Sequence, residues 1–416
     1  MLSRVQALNY RCLQYVNLPL LPFQVLIGPN ASGKSSFLDV VTLLGDYVRE
    51  GLDKALLQTF KNPNGRATNV EQLIFQQSAP GFELAIELRV PQRLASHYQY
   101  ARYEVGFKKE ESGELAIAGE TLWLHNDTQP DFYQPQFNPP KTLFKAPGKK
   151  NAPQGWRKVV NKIPDSGNDY FRDEFGKWNM TFRVGTRQSS LTGLPQDEQR
   201  FPVSIWVREL LREGIHVLSL NSIAMRRPCS PSEVRTFKVD GSNLPLVIQD
   251  LQQKKPEVFQ EWVAHIQTVL PDVQTILIQE RPEDKHLYLA IKYDSGGNPV
   301  PSWLLSDGTL RMLALTLLAY MPSHEGIYMI EEPENGIHPK AIEAVFLSLS
   351  SVYDNQILLA THSPLFLDLA KRSQLLCFAK NSLGAVDIVS GEQHPSLQNW
   401  HGQISLSTLY ASGVLG

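Results

Sequence analysis

The sequence predicts an α/β fold with a mixed sheet, an antiparallel β lobe and an irregular insertion, on three observations. A short apolar run, Phe23 to Ile27, enters a glycine-rich loop that leads into an amphipathic helix. Two apolar, β-branched runs, Phe82 to Val90 and Tyr98 to Phe107, have the spacing of antiparallel strands. The block Leu304 to Leu369 reads as loop, helix, strand, helix, strand.

The loop is Gly28-Pro29-Asn30-Ala31-Ser32-Gly33-Lys34-Ser35-Ser36. Gly28 to Ser35 fits G-x-x-x-x-G-K-[ST] at every fixed position, with an apolar strand before it and a helix bearing Phe37, Val40, Val41, Leu44 and Val48 after it. That is the phosphate loop of a P-loop NTPase. Its glycines let backbone N–H groups turn inward around phosphate oxygens, and the helix N-terminus adds its dipole. Lys34 is expected to reach the β- and γ-phosphates of ATP, and the Ser35 hydroxyl to ligate Mg²⁺.

Residues 1–124 are expected to form the N-terminal lobe, with this loop and the antiparallel strands. From 125 to 200 prolines punctuate the chain and no period persists, which marks the insertion. Residues 201–300 complete the fold: a helix over Ile205 to Arg212, a strand at His216 to Leu220, two amphipathic helices around Val247 to Leu251 and Val258 to Ile266, and strands at Thr275 to Gln279 and His286 to Tyr293. Residues 301–416 carry the remaining chemistry.

Ile327 to Ile330 is an apolar strand ending in Glu331-Glu332-Pro333. A carboxylate at such a strand end completes the Mg²⁺ site of a P-loop protein, and a second one polarises the attacking water. Glu331 is assigned to the metal and Glu332 to the water; the usual metal ligand is Asp, one methylene shorter. Leu305-Ser306-Asp307-Gly308-Thr309 precedes an apolar helix that Ser306 can cap, and the free N–H groups there form an anion site. His362, after the strand Ile357 to Ala360, is placed to sense a γ-phosphate.

Taken in order, Gly28 to Ser36, Leu305 to Thr309, Glu331 to Pro339 and Ala360 to Pro364 resemble the motifs of ABC-type ATPases of the RecF, SMC and OLD group, stand-alone predicted ATPases of bacterial defence settings among them. Glu332-Pro333-Glu334-Asn335-Gly336-Ile337-His338-Pro339 is similar to the family's D-loop. The resemblance implies an ATPase head in which two ATP molecules lie between two heads, so that Ser306, Asp307 and Gly308 face the γ-phosphate bound by the partner's Lys34. It also implies Arg11 near the nucleotide, Glu332 and His362 as catalytic residues, and a linking glutamine among Gln72, Gln76 and Gln77. Glu331 in place of Asp, and Asp307 where many signatures have Gly, are departures from the family pattern.

The net charge of −2 excludes attachment to nucleic acid or anionic lipid by bulk charge. Three distant cysteines, Cys12, Cys229 and Cys377, form no disulfide framework, and a cytoplasmic setting is expected. No apolar window is long enough for a membrane span. Without sustained heptads no coiled-coil arms are expected, and the stretch after His362 is short for a fused nuclease. Residues 141–190 hold eleven Lys/Arg against four acids, interleaved with aromatics such as Trp156 and Trp178. Such a pattern tracks a nucleic-acid backbone, docks a protein, or has no specific role. The expectation is a Mg²⁺-dependent ATPase that dimerises on ATP and acts as a switch for a separate effector in bacterial anti-phage defence. A RecF-like repair ATPase that binds DNA and a non-hydrolysing scaffold are the alternatives.

Overall fold

The computed structural model describes residues 1–57, 65–111, 113–127, 139–146, 152–163, 169–182, 185, 187–321, 325–352, 355–398, 400, 402 and 404–415. Its centre is a six-stranded sheet in the order Ile215–Leu218, Ile327–Glu331, Gln356–Ala360, Phe23–Ile27, Leu375–Lys380 and Val386–Ser390. The first five are mutually parallel and the last is antiparallel. Phe23–Ile27 and Gln356–Ala360 are buried at every residue. A parallel sheet covered on both faces requires such runs.

Alternate residues feed two cores. Leu26, Met329, Leu358 and Ala360 face one, which holds the helix Lys34–Glu50 and the helix Pro202–Glu213. Val25, Ile27, Tyr328, Ile330, Ile357 and Leu359 face the other, which holds the helices Asp307–Leu317, Pro339–Ser350 and Pro364–Leu369. The helices Leu244–Lys254 and Pro256–Val269 join the second core, with a small sheet of Val273–Glu280, Leu287–Tyr293 and Val300–Pro301. There the Trp262 indole donates to the buried Thr316 hydroxyl at 3.1 Å.

An eight-stranded antiparallel sheet covers the first core, in the order Leu13–Pro19, Leu2–Tyr10, Gly81–Arg89, Tyr100–Lys109, Leu115–His125, Arg157–Lys162, Tyr170–Arg172 and Asn179–Thr181. Its last three strands lie in the segment read as irregular. They are three to six residues long and follow a proline-punctuated stretch after His125, so no period builds up in the sequence. Trp156 and Phe171 are buried parts of this lobe.

Several cations of 141–190 are engaged by the lobe itself. Lys162 is 2 % exposed and donates to the carbonyls of Gly185 and Gln188. Arg157 donates to the carbonyls of Asp173 and Gly176, and Arg187 pairs with Asp53 and Glu114. Lys145 and Lys158 sit 4.4 Å and 4.6 Å over the rings of Trp156 and Trp123. The interleaving of cations and aromatics thus describes packing within the lobe at Lys145, Arg157, Lys158 and Lys162, while the Arg187 pairs are at the surface and Lys141, Arg172 and Lys177 are exposed. Lys149, Lys150 and Arg183 lie outside the described residues. Among the described residues no helix is long and apolar enough to cross a membrane.

Candidate functional site

Because Phe23–Ile27, Ile327–Glu331 and Gln356–Ala360 run parallel in the central sheet, their C-terminal ends open onto one edge. The loops that leave them carry Gly28 to Gly33, Glu332 to His338, and Thr361 to Ser363. A cavity of about 360 Å³ lies there, lined by Cys12, residues 30–36, Glu331, Glu332, Ala360, His362 and Lys380.

The loop is tightly curled. Gly28 has φ +145°, and a Cβ on it would stand 2.3 Å from the Phe378 carbonyl oxygen. Ala31 at φ 61° and Gly33 at φ 103° are left-handed, so the turn presents its amides inward. No side chain caps the helix that begins at Lys34, and no acid sits in its first turn, which leaves its N-terminal N–H groups available to an anion.

The Lys34 ammonium folds back onto its own loop, donating to the carbonyls of Gly28 at 2.7 Å and Pro29 at 3.0 Å. Burial pushes its pKa down, while Glu331 and Glu332 pull it back up. A buried cation held by neutral carbonyls is suited to exchange them for phosphate oxygens. The Ser35 hydroxyl donates to Glu331 Oε2 at 3.0 Å across 296 sequence positions. Hydroxyl and carboxylate therefore share one coordination corner. Among the described residues no group of three or more His, Cys, Asp or Glu could hold a metal ion. This pair fits Mg²⁺, which is held by few protein oxygens and completed by phosphate and water.

Glu332 stands at the mouth with φ 48°, a conformation a non-glycine residue rarely adopts. Its N–H donates to the Ala360 carbonyl at 2.8 Å, and its Oε2 accepts from the Asn335 amide at 2.5 Å. These contacts over-determine the backbone and aim the carboxylate at the cavity. Glu334 ties this turn to the next strand, its Oε1 accepting from the Thr361 hydroxyl at 2.6 Å and the His362 N–H at 3.1 Å.

Comparison with known proteins agrees with this geometry. The family described as AAA domain, putative AbiEii toxin, Type IV TA system matches residues 247–368, which include Ser306, Glu331, Glu332 and His362. The OLD nuclease of Thermus scotoductus is 47% identical over 47 residues, a match spanning 11% of this chain and 9% of that protein. An SMC head bound to the C-winged helix domain of ScpA superposes over 98% of this chain and 99% of its own, with a TM-score of 0.50 and 14% identity. The SMC head domain from Thermotoga maritima matches over 94% and 98% at a TM-score of 0.43 and 12% identity.

The chain has the fold of an ABC-type ATPase head, and its motifs are similar to those of the RecF, SMC and OLD group.

Within this fold the structure brings residues 30–36, Glu331, Glu332 and His362 to one cavity, as the sequence placed them. It sets Ser306, Asp307 and Gly308 elsewhere. Ser306 caps its helix, its Oγ accepting from the Thr309 N–H at 3.1 Å, and Asp307 pairs with Arg226 at 2.5 Å. Gly308 lies against the D-loop, where an added Cβ would meet the Gly336 carbonyl at 2.1 Å. The turn is exposed, beside an exposed Trp303 and Leu304. Arg11 also stands apart from the cavity. Its guanidinium pairs with Asp39 at 3.1 Å, on the helix after the loop, and the neighbouring Cys12 lines the cavity in its place. None of the three glutamines lines the cavity. Gln76 donates to the Leu383 carbonyl at 2.6 Å, and Gln72 accepts from Thr68.

Besides Cys12, two residues of the site carried no motif. Lys380 ends the strand next to Phe23–Ile27 and reaches the cavity edge. Tyr410, in the C-terminal helix Leu406–Ala411, contacts both the Gly28 carbonyl and His362.

Proposed function

We propose that this chain binds ATP with Mg²⁺ in the cavity and hydrolyses it as an ATP-driven dimer, a nucleotide switch that governs a separate effector protein. The observation that carries the reading is the Ser35–Glu331 contact beside Lys34, which unites the phosphate loop and the acidic strand end. Backbone N–H groups of the loop cradle the β-phosphate, and Lys34 trades its two carbonyl partners for β- and γ-phosphate oxygens. Ser35 and Glu331 would hold Mg²⁺, which supplies charge neutralisation at the phosphates when bound. Glu332 accepts a proton from the attacking water, and His362 contacts the γ-phosphate. Ser306 and Gly308 complete the partner's site from an exposed helix N-terminus.

The defence setting is supported by the toxin and TA-system wording of the matching family's description. That one SMC head is described as bound to ScpA is in keeping with a partner protein on such a head. Calorimetry with ATP and Mg²⁺, and steady-state turnover, test the reading. Binding that disappears in Lys34→Ala supports it. Equal binding in both proteins would remove the phosphate-loop assignment.

A further inference from the structure

We propose that Tyr410 is a positioning residue that decides which nitrogen of His362 carries the proton, and so couples the C-terminal helix to the phosphate loop. Tyr410 is a tyrosine with one hydroxyl proton and two partners. Its oxygen lies 3.0 Å from the Gly28 carbonyl oxygen and 2.9 Å from His362 Nδ1. A carbonyl only accepts, so the single proton goes to Gly28. The contact with His362 then requires Nδ1–H to donate to the tyrosine oxygen. A neutral His362 so held has its lone pair on Nε2, the nitrogen left for the cavity that this residue lines.

A lone pair on Nε2 repels a phosphate oxygen. To donate from Nε2 to a γ-phosphate, a neutral His362 must carry its proton there and accept at Nδ1. The only adjustment Tyr410 needs is a rotation of its hydroxyl from Gly28 to Nδ1. Gly28 loses a donor at that moment, and it loses a second when the Lys34 ammonium, 2.7 Å from the same carbonyl, turns to phosphate. One carbonyl thus gathers the lysine, the tyrosine and, through the tyrosine, the histidine.

The helix that presents Tyr410 is anchored. The Ser407 N–H and hydroxyl donate to the two carboxylate oxygens of Asp368 at 3.0 Å and 2.7 Å, and Leu406 and Leu415 are buried in the second core. Burial also raises the Tyr410 pKa, so the hydroxyl keeps its proton. The phosphate-facing consequence rests on the function proposed above. The nucleotide-free tautomer does not.

The test is long-range ¹H–¹⁵N correlation on protein with ¹⁵N-labelled imidazoles at about pH 8, where an ordinary imidazole is neutral. The signal of His362 is assigned by its absence in His362→Gln. The nucleotide-free parent is expected as the Nδ1–H form. Tyr410→Phe, which loses only the hydroxyl, is expected to exchange the two nitrogen signals to the Nε2–H form, and Tyr410→Met gives a second reading of the same loss should the first variant fold poorly. Ser407→Ala, which loosens the helix and keeps the hydroxyl, is expected to leave the parent pattern. An unchanged pattern in both Tyr410 variants overturns the proposal, as does an equal change in Ser407→Ala. Adding a non-hydrolysable ATP analogue with Mg²⁺ is expected to bring the parent to Nε2–H. If calorimetry shows the analogue bound and Nδ1–H persists, the coupling is wrong. If no analogue binds, the proposed function falls, and the nucleotide-free arm still decides the tautomer.

Discussion

Replacing Glu332 separates its chemistry from its backbone. Glu332→Gln keeps the volume and an amide oxygen that can accept from Asn335 as Oε2 does at 2.5 Å. Its N–H still reaches the Ala360 carbonyl. Stability should therefore move by less than about 0.5 kcal/mol, the scale of a surface change without a structural lesion. Lys34, Ser35 and Glu331 are untouched, so ATP affinity should persist. What disappears is the base, worth about 10²- to 10⁴-fold in rate, or roughly 3–5 kcal/mol of barrier. Glu332→Gly makes the contrast sharper. It relieves a φ of 48° that costs a non-glycine residue about 1–2 kcal/mol, so this variant should melt at or above the parent temperature while its turnover also collapses. Phosphate release under saturating ATP and thermal melting read both quantities. Normal turnover in Glu332→Gln would refute the assignment and move the base to Glu331.

Ser306→Arg places bulk and a flexible cation at an exposed turn that does not line its own cavity. ATP binding should survive, while ATP-dependent dimerisation in the ultracentrifuge and hydrolysis fail together; normal hydrolysis by a monomer would leave Ser306 as a helix cap alone. Mixed with Lys34→Ala, the same variant should recover part of the turnover, because one composite site of a mixed dimer carries both lesions and the other neither. Gly308→Ala forces a methyl group into the Gly336 carbonyl and should destabilise the head by about 1–3 kcal/mol, measured by denaturant unfolding. Glu174 is pushed up to about 7 by burial, which outweighs its donors at Val203 and Ser204. A raised acid favours the folded state at low pH, so its contribution should be complete below about pH 4.5 and lost as pH rises to about 7. The loss is at most about 3 kcal/mol. Glu174→Gln should flatten that slope in melting curves taken across the window.

The placement of the loop Gly28 to Ser36, the acidic strand end and His362 around one cavity was legible because each joins a buried strand to a chemically distinctive turn. A run such as Gln356–Ala360 has no polar face to confuse its period, and Gly28 and Lys34 have narrow alternatives. The pairing of Arg11 with Asp39 was not legible, for the opposite reason. An arginine's destination depends on which carboxylate folds beside it, and Asp39 becomes its partner only once the helix Lys34–Glu50 packs under the first hairpin. The inward turn of Lys162 was not legible, because sequence does not say which cations of 141–190 meet carbonyls and which meet water. Tyr410 was invisible, since a lone tyrosine in a short apolar tail has no spacing relation to Gly28, 382 positions away.

The strand Phe23–Ile27 also sets a schedule for making the protein. Its two sheet neighbours are Gln356–Ala360 and Leu375–Lys380, so a five-residue strand with four apolar side chains waits for partners that leave the ribosome about 330 residues later. At about 5–20 residues per second that interval is roughly 15–70 s. The hairpin Leu2–Tyr10 with Leu13–Pro19 and its neighbour Gly81–Arg89 can pair long before then, since all three are N-terminal. The β lobe is thus available as a folded platform while the nucleotide loop still hangs from an unpaired strand. The nascent chain passes through a long period in which it displays a sticky edge and has no active site, a period in which a chaperone has more to offer it than ATP does.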